Sequence, residues 1–362
     1  MANLDKILYK ALHNIPITTE EIRYLLKLTK DSARERLFAT ARVLRRRYFG
    51  DKVFLYGFVY FSTYCRNDCT FCYYRKSNQD CIRYRKTTRE IVDIANALAE
   101  SGVHLIDLTM GEDPQYLSRS NEGYEQLVKI VKLVKQKTNL PIMISPGVVP
   151  KDVLKKLKQA GANWYACYQE THNRRLYDRL RLNQSYDERW AAKIFAKTIG
   201  MLVEEGLLVG VGDCIEDAVQ SFGEMRKLGA EQVRTMSFVP QKGTPLYATG
   251  AVNDYYEINT IAVMRLVFPD KLIPASLDVE GIQGLKERLD AGANVVTSII
   301  PPEAGLAGVS QSTLDICEGY RTVPGVTPVL EECGLTPATL AEYRDWLANK
   351  LGNGAKEGVM CE

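Results

Sequence analysis

Short apolar runs rich in β-branched and aromatic residues recur eight times between residues 53 and 299. They lie at 53–61, 103–110, 141–145, 163–169, 207–212, 232–239, 272–277 and 294–299. Longer stretches with helical spacing separate them, at 89–101, 123–137, 150–160, 186–205 and 215–228. A strand that is apolar along its whole length is buried on both faces, and strand–helix alternation implies a parallel sheet. Eight such units predict an α/β chain of the (β/α)8, TIM-barrel type, and 362 residues suit that barrel with extensions. A doubly wound open sheet is the competing arrangement, but no Gly-x-Gly-x-x-Gly follows any run.

Three segments result. Residues 1–50 read as a helical extension, expected to form a lid or a base. Within it, Thr18-Thr-Glu-Glu21 ahead of Ile22, Leu25 and Leu26 reads as a capping box that opens an amphipathic helix. The pattern continues over about 31–47. Residues 51–300 form the barrel. Residues 301–362 begin rich in Pro and Gly, hold a helix over 336–351 and end in a tail from Gly352 expected to be flexible. They are expected to cap the barrel or its base.

Barrels of this type carry their chemistry at the carboxyl ends of the strands, and polar residues gather there. A three-cysteine loop follows the first run. Met110-Gly-Glu-Asp113 ends the second, Ser145-Pro-Gly147 the third, Glu170-Thr171 the fourth and Gly212-Asp213 the fifth. The sixth carries Arg234 and Ser237, the seventh Ser276 and Asp278, and the eighth Thr297 and Ser298.

The cysteine loop places Cys65, Cys69 and Cys72 in C-x3-C-x2-C spacing. Soft thiolates favour iron–sulfur clusters, zinc or copper(I). A closed zinc site needs a fourth ligand. The chain has three histidines, His13, His104 and His172, none nearby in sequence. Cys81 is the nearest further cysteine, and nothing around it suggests a ligand. Three thiolates without a fourth partner suit a 4Fe–4S cluster with one iron open to another molecule.

Composition narrows the partners. The net charge is +3, and no basic stripe is interleaved with aromatics, so nucleic acid is not an expected partner. The basic run Arg42, Arg45, Arg46 and Arg47 reads as a solvated helix face. No signal peptide or apolar span of membrane length is seen, so no membrane partner is expected. Nine cysteines, an odd number, speak against a disulfide framework and for a reducing cytoplasm.

C-x3-C-x2-C with Phe71 before the third cysteine resembles the radical S-adenosylmethionine (SAM) enzymes. The resemblance implies that the amine and carboxylate of SAM chelate the open iron. Reductive cleavage then yields methionine and a 5′-deoxyadenosyl radical, with the cofactor doing the difficult chemistry. It also implies an anaerobic setting and an electron donor such as a ferredoxin or flavodoxin. Gly111-Glu112 is similar to the family's glycine–glutamate motif, which assigns Glu112 to the cofactor's ammonium. Tyr168-Gln-Glu-Thr-His-Asn, with Leu180 and Tyr186-Asp-Glu-Arg189, resembles the Glu-Thr…Arg segment of the biotin synthase-like branch, especially its hydrogenase-maturation group. This implies that Glu170 contacts SAM and that Arg189 clamps its carboxylate, with Ser145 assisting and Arg181 as a competing candidate. Of the aromatics Phe71, Tyr73 and Tyr74, Tyr73 is expected beside the adenine.

The remaining mouth residues are Asp113, Arg234, Ser237, Ser276, Asp278, Thr297 and Ser298. An arginine with aspartates and hydroxyls suits a zwitterion: Arg234 for a carboxylate, Asp278 with Ser276 and Glu112 or Asp113 for ammonium groups. The alternative is an internal Arg234–Asp278 pair, since buried charges persist only when paired. A second, sulfur-donating cluster is disfavoured, because only Cys167 and Cys214 lie near strands. Cys317 and Cys333 are likewise a poor match to the maturases' C-terminal cysteine group. The resemblance therefore implies an isomerase of this branch acting on L-lysine by hydrogen abstraction, carbon-skeleton fragmentation and recombination. Competing readings are a maturase-like or biotin synthase-like enzyme on another small substrate, and an iron–sulfur carrier that is not an enzyme.

Overall fold

Strand β1 (Lys52–Ser62) is buried on both faces from Val53 onward, which requires a sheet covered on each side. A computed structural model describes residues 3–117, 121–249, 254–310 and 320–357. Seven further strands join β1: β2 (Leu105–Met110), β3 (Ile142–Ser145), β4 (Ala162–Ala166), β5 (Leu202–Val209), β6 (Gln232–Ser237), β7 (Pro274–Ser276) and β8 (Val295–Ile299). Their order is β6-β5-β4-β3-β2-β1-β8-β7, and all the ladders are parallel. At the foot of the barrel Gln232 bridges to Leu272, so β6 and β7 nearly close the ring. The chain is an α/β protein of the expected (β/α)8 type.

The outer helices follow from local chemistry. Thr87 and Glu90 form a reciprocal capping box at the start of α4 (Thr88–Glu100). After it come α5 (Asn121–Thr138), α6 (Lys151–Gln159), α7 (Arg174–Leu180) and α8 (Tyr186–Thr198). Next, α9 (Ile215–Leu228) stops at Gly229, whose φ of +61° gives the left-handed cap that glycine adopts without steric cost. The ring is completed by α10 (Asp254–Val267) and α11 (Leu285–Asp290).

Ahead of the barrel lie α1 (Leu4–Leu12), α2 (Thr19–Leu26) and α3 (Asp31–Phe49), with the expected Thr18–Glu21 capping box on α2. This extension is neither lid nor base. Arg23 reaches Glu216 on α9 at 2.6 Å, and Asn259 of α10 donates to the Leu25 carbonyl at 3.2 Å. Arg45 donates to the Leu289 and Ala293 carbonyls at the end of α11. The helices thus flank the outer layer, and Arg45 is buried rather than on a solvated face.

The carboxyl-terminal region closes the foot. It adds α12 (Val323–Glu332), a two-residue strand Thr336–Pro337 paired with the start of β1, and α13 (Leu340–Glu357). Tyr343 packs edge-on to Phe54 and Tyr56, and Trp346 stacks on Trp164 with ring centroids 5.9 Å apart. The helix expected over 336–351 therefore starts later and runs on to Glu357, through the first residues of the stretch expected as a flexible tail, while 358–362 lie outside the described residues. Helix α12 has no helical signature in the sequence because Pro324 and Pro328 punctuate it. Pro324 costs little in the first helical turn, whose N–H groups lack intrahelical partners anyway. Tyr343→Ala is expected to cost about 3 kcal/mol of stability by emptying this plug. A denaturation midpoint equal to that of the unmodified chain would contradict the account.

Candidate active site

A cavity of about 190 Å³ opens at the carboxyl ends of the strands. Cys65, Cys69 and Cys72 line one side of it, together with Glu112, Ser145, Glu170, Arg181, Arg189, Arg234 and Asp278. The strand-end expectation thus brings ten of the candidate residues to one mouth.

The cysteine loop leaves β1 and is held against the end of β2. Arg66 N–H donates to the Glu112 carbonyl at 2.8 Å, and Gly111 N–H to the Ser62 carbonyl at 2.9 Å. A Cβ at Gly111 would collide with the Tyr64 carbonyl oxygen, so glycine is required at this approach. Cys65 Sγ accepts from the Asn67 N–H at 3.4 Å. Cys69 Sγ accepts from Gln184 Nε2 at 3.0 Å and Arg181 Nη1 at 3.7 Å. Burial pushes the Cys65 thiol up to about 11 and raises Cys72, with Cys69 and Cys65 adding to the latter. Metal binding must therefore displace protons.

These groups suit a cluster better than a single ion. Among the described residues no group of three or more His, Cys, Asp or Glu converges on one metal ion, as zinc at about 2.3 Å from sulfur would need. Cys81 is buried apart from the cavity, beside Tyr73 and Tyr74. All described cysteines are free of disulfides. Cys214 is exposed, and Cys317 lies outside the described residues.

Beside the thiols two carboxylates, Glu112 and Glu170, are held by three guanidiniums, and Arg66 Nε donates to Glu112 Oε2 at 3.0 Å. Arg189 Nη2 donates to Glu112 Oε1 at 3.0 Å and to Gln184 Oε1 at 2.9 Å, and its Nη1 meets Cys167 Sγ at 2.9 Å. Arg181 Nη2 donates to Glu170 Oε1 at 2.6 Å. The Nε atoms of both arginines are buried without a partner among the described residues, leaving donors for an anionic ligand. Burial raises the Glu170 carboxyl, opposed by Arg181 and Arg189. Glu170 also adopts φ +67°, a left-handed conformation that non-glycine residues hold only under constraint.

Deeper in the barrel, Glu204 accepts from Arg234 Nε and from the Tyr168 hydroxyl, each at 2.6 Å. Arg234 Nη1 reaches Thr297 at 3.3 Å, while Nη2 is buried with no partner. Burial disfavours the Arg234 charge, but Glu204, Tyr168 and Asp107 outweigh it and raise its pKa. Asp278 accepts from Tyr60 at 2.8 Å, Ser298 at 2.9 Å and Arg321 at 3.1 Å. The internal Arg234–Asp278 pair is therefore not formed, because each charge has another partner. Ser276 Oγ accepts from the Asp278 N–H at 3.3 Å, and Ser237 Oγ is buried without a partner.

Six of the sixteen expected residues are absent from the cavity lining: Ser237, Ser276, Thr297 and Ser298, and also Asp113 and Tyr73, which are held elsewhere. Both oxygens of Asp113 are held by Arg85, at 2.6 and 2.8 Å, and Ser62 adds a third bond. Asp113 is fully buried and does not line the cavity. Tyr73 donates to the Asp80 carbonyl at 3.0 Å inside the loop, whereas Phe71 and Tyr74 line the cavity.

Sequence reasoning missed Asp107, Tyr168, Glu204 and Arg321. Asp107 lines the cavity, and Thr109 and Ser145 donate to the same oxygen, Oδ1, at 2.9 and 3.1 Å. Burial, with Glu204 adding, pushes its carboxyl up to about 7. An acidic residue inside an otherwise apolar strand run is the sequence sign that could have found it.

Parallel barrel, thiol triad and paired guanidiniums together define a radical SAM enzyme, and residues 59–222 match the radical SAM superfamily. The chain is 44% identical to the 3-methylornithine synthase of Methanosarcina acetivorans, over 94% of this chain and 96% of that protein. It is 30% identical to the [FeFe] hydrogenase maturase subunit HydE of Thermotoga maritima, over 92% and 94%. The crystal structure of a methylornithine synthase superposes with a TM-score of 0.89 at 44% identity, covering 94% of this chain and 99% of that one. The chain belongs to the 3-methylornithine synthase family of the radical SAM superfamily.

Proposed function

We propose that this protein isomerises L-lysine to (3R)-3-methyl-D-ornithine, the first step of pyrrolysine biosynthesis. The observation that carries the substrate reading is the charge pattern of the inner cavity. Asp107, Asp278 and Arg234 line the cavity, Glu204 and Arg321 are the partners of Arg234 and Asp278, and the five together hold one acid in excess. L-Lysine brings one carboxylate and two ammonium groups, and its net positive charge balances that excess.

When bound, the 4Fe–4S cluster and SAM supply a 5′-deoxyadenosyl radical on reduction. Cys65, Cys69 and Cys72 would hold the cluster. Glu112, Glu170, Arg181 and Arg189, with Ser145 close by, would hold the amino-acid end of SAM. Phe71 and Tyr74 are better placed than Tyr73 to face its adenine. Arg234 would bind the lysine carboxylate through its free Nη2, with Thr297 against its Nη1, while Ser237, three positions on along β6, is absent from the cavity lining. Asp278, fixed by Ser276, Ser298, Tyr60 and Arg321, would take one ammonium, and Asp107 the other. Charge partners on several strands keep both halves of a fragmented skeleton in register. Phe58, Leu208, Met236 and Phe238 supply apolar surface to the cavity that restricts water. A small redox protein such as a ferredoxin or flavodoxin would donate the electron. No helix among the described residues is long and apolar enough to cross a membrane.

Anaerobically reconstituted, reduced protein incubated with SAM and L-lysine should yield a lysine isomer, identified by mass and chiral chromatography. Formation of 5′-deoxyadenosine without any isomer would reject lysine as substrate. Absence of 5′-deoxyadenosine would reject the enzyme reading in favour of an iron–sulfur carrier.

A further inference from the structure

One buried carboxylate, Glu205, ties together the elements that carry the proposed SAM clamp. Side chains alternate along β5, so Glu204 faces the barrel interior and Glu205 faces α8. Glu205 Oε1 accepts from the N–H groups of Gln169 and Gly206, each at 2.9 Å, and Oε2 pairs with Lys193 of α8. Lys193 Nζ also donates to Gln169 Oε1 at 3.2 Å. Gln169 Nε2 in turn donates to the carbonyl of Tyr186, the first residue of α8, at 3.2 Å. The side chains of Lys193 and Glu205 are both 0% exposed.

Each anchored point adjoins a clamp residue. Gln169 directly precedes Glu170, whose left-handed φ persists only if its surroundings hold it. The Glu170 N–H donates to the Gly206 carbonyl at 3.2 Å and its carbonyl accepts from the Leu208 N–H at 2.9 Å, so this turn is held on β5 just past Glu205. Arg189 lies four residues before Lys193, on the same face of α8 and one turn earlier. Fixing Lys193 fixes the rotation of α8 about its axis, and with it the direction in which Arg189 enters the cavity.

We infer that the Glu205–Lys193 pair is a positioning device for SAM binding, holding the Glu170 backbone and the Arg189 helix without touching the cofactor. A matched apolar pair can stabilise a buried site as well as an ion pair does. What the carboxylate adds is an acceptor for the N–H groups of Gln169, beside the strained Glu170, and of Gly206, joined in one group to a counter-charge for Lys193 that an amide cannot supply. This inference rests on Glu170 and Arg189 being the SAM clamp.

The test titrates SAM into reconstituted, dithionite-reduced protein and follows the electron paramagnetic resonance of the cluster. In Glu205→Gln and Lys193→Met the half-saturating SAM concentration should rise about tenfold or more, with the KM for lysine changed less than about twofold. The resonance without SAM should match that of the unmodified protein, and Lys193→Arg should restore most of the affinity. Glu205→Gln is isosteric and keeps the test usable if Lys193→Met does not fold. Arg189→Lys and Glu170→Gln serve as references. If they shift the titration and Glu205→Gln does not, the positioning role is overturned. If they do not shift it, the clamp reading beneath it fails. SAM and lysine constants that rise together, with a lower denaturation midpoint, would also overturn it, leaving the pair a purely structural role.

Discussion

Arg234→Lys is expected to lower kcat/KM for L-lysine by about 10²-fold or more while cluster content stays unchanged. Arg234 already spends Nε on Glu204, and its remaining Nη2 donor is free. The planar fork allows both contacts from one charge, which a lysine ammonium on a flexible stem cannot reproduce. Arg234→Met should be harsher. It leaves Glu204 buried and uncompensated beside Asp107, at a cost of about 3–5 kcal/mol. Steady-state kinetics, iron content and a denaturation midpoint separate the two effects. Unchanged turnover in Arg234→Lys would remove the carboxylate role assigned to this residue.

Asp107→Asn should have the second largest effect. In the unliganded site the carboxyl is pushed up to about 7 by burial and by the nearby Glu204. A carboxyl with a raised pKa carries its charge only above that value, so kcat/KM for lysine should climb as pH rises through about 7. Both Thr109 and Ser145 donate to Oδ1, so an incoming ammonium can pair with Oδ2 and favour ionisation. Asparagine removes the charge, and the acid limb should flatten with a loss of about 10- to 100-fold in kcat/KM. The same variant should discriminate less between lysine and 2-aminohexanoate, which lacks the second amine. A pH profile that keeps its limb in Asp107→Asn would assign that titration to another group.

Much of the scaffold was legible because its cause is local. Each strand buried on both faces leaves an apolar run, and the cap of α2 is written in Thr18 and Glu21. The misses have equally particular causes. Glu204 and Glu205 interrupt the apolar pattern, so the sequence reads as helix over 186–205 and as strand only from 207. In the fold α8 stops at Thr198, and both glutamates lie inside β5, neutralised by Arg234 and Lys193. Helix α10 carries little helical periodicity in the sequence because it is buried around most of its circumference, with Glu257, Asn259, Thr260 and Arg265 among the buried residues. At the mouth, Asp113 looked like a ligand until Arg85 occupied it, while Asp107 stayed hidden in a strand.

The sequence by itself determined the barrel, the thiol triad and the strand ends at which chemistry gathers. Burial period and ligand spacing are properties of neighbouring residues. Only the tertiary structure decided how the charges pair: Arg234 with Glu204, Asp278 with Arg321, Glu205 with Lys193, and Asp107 left with an open oxygen. These partners are separated by 12 to 43 residues in the chain. Which carboxylate meets which cation depends on where the barrel brings them together, and no local pattern encodes that distance.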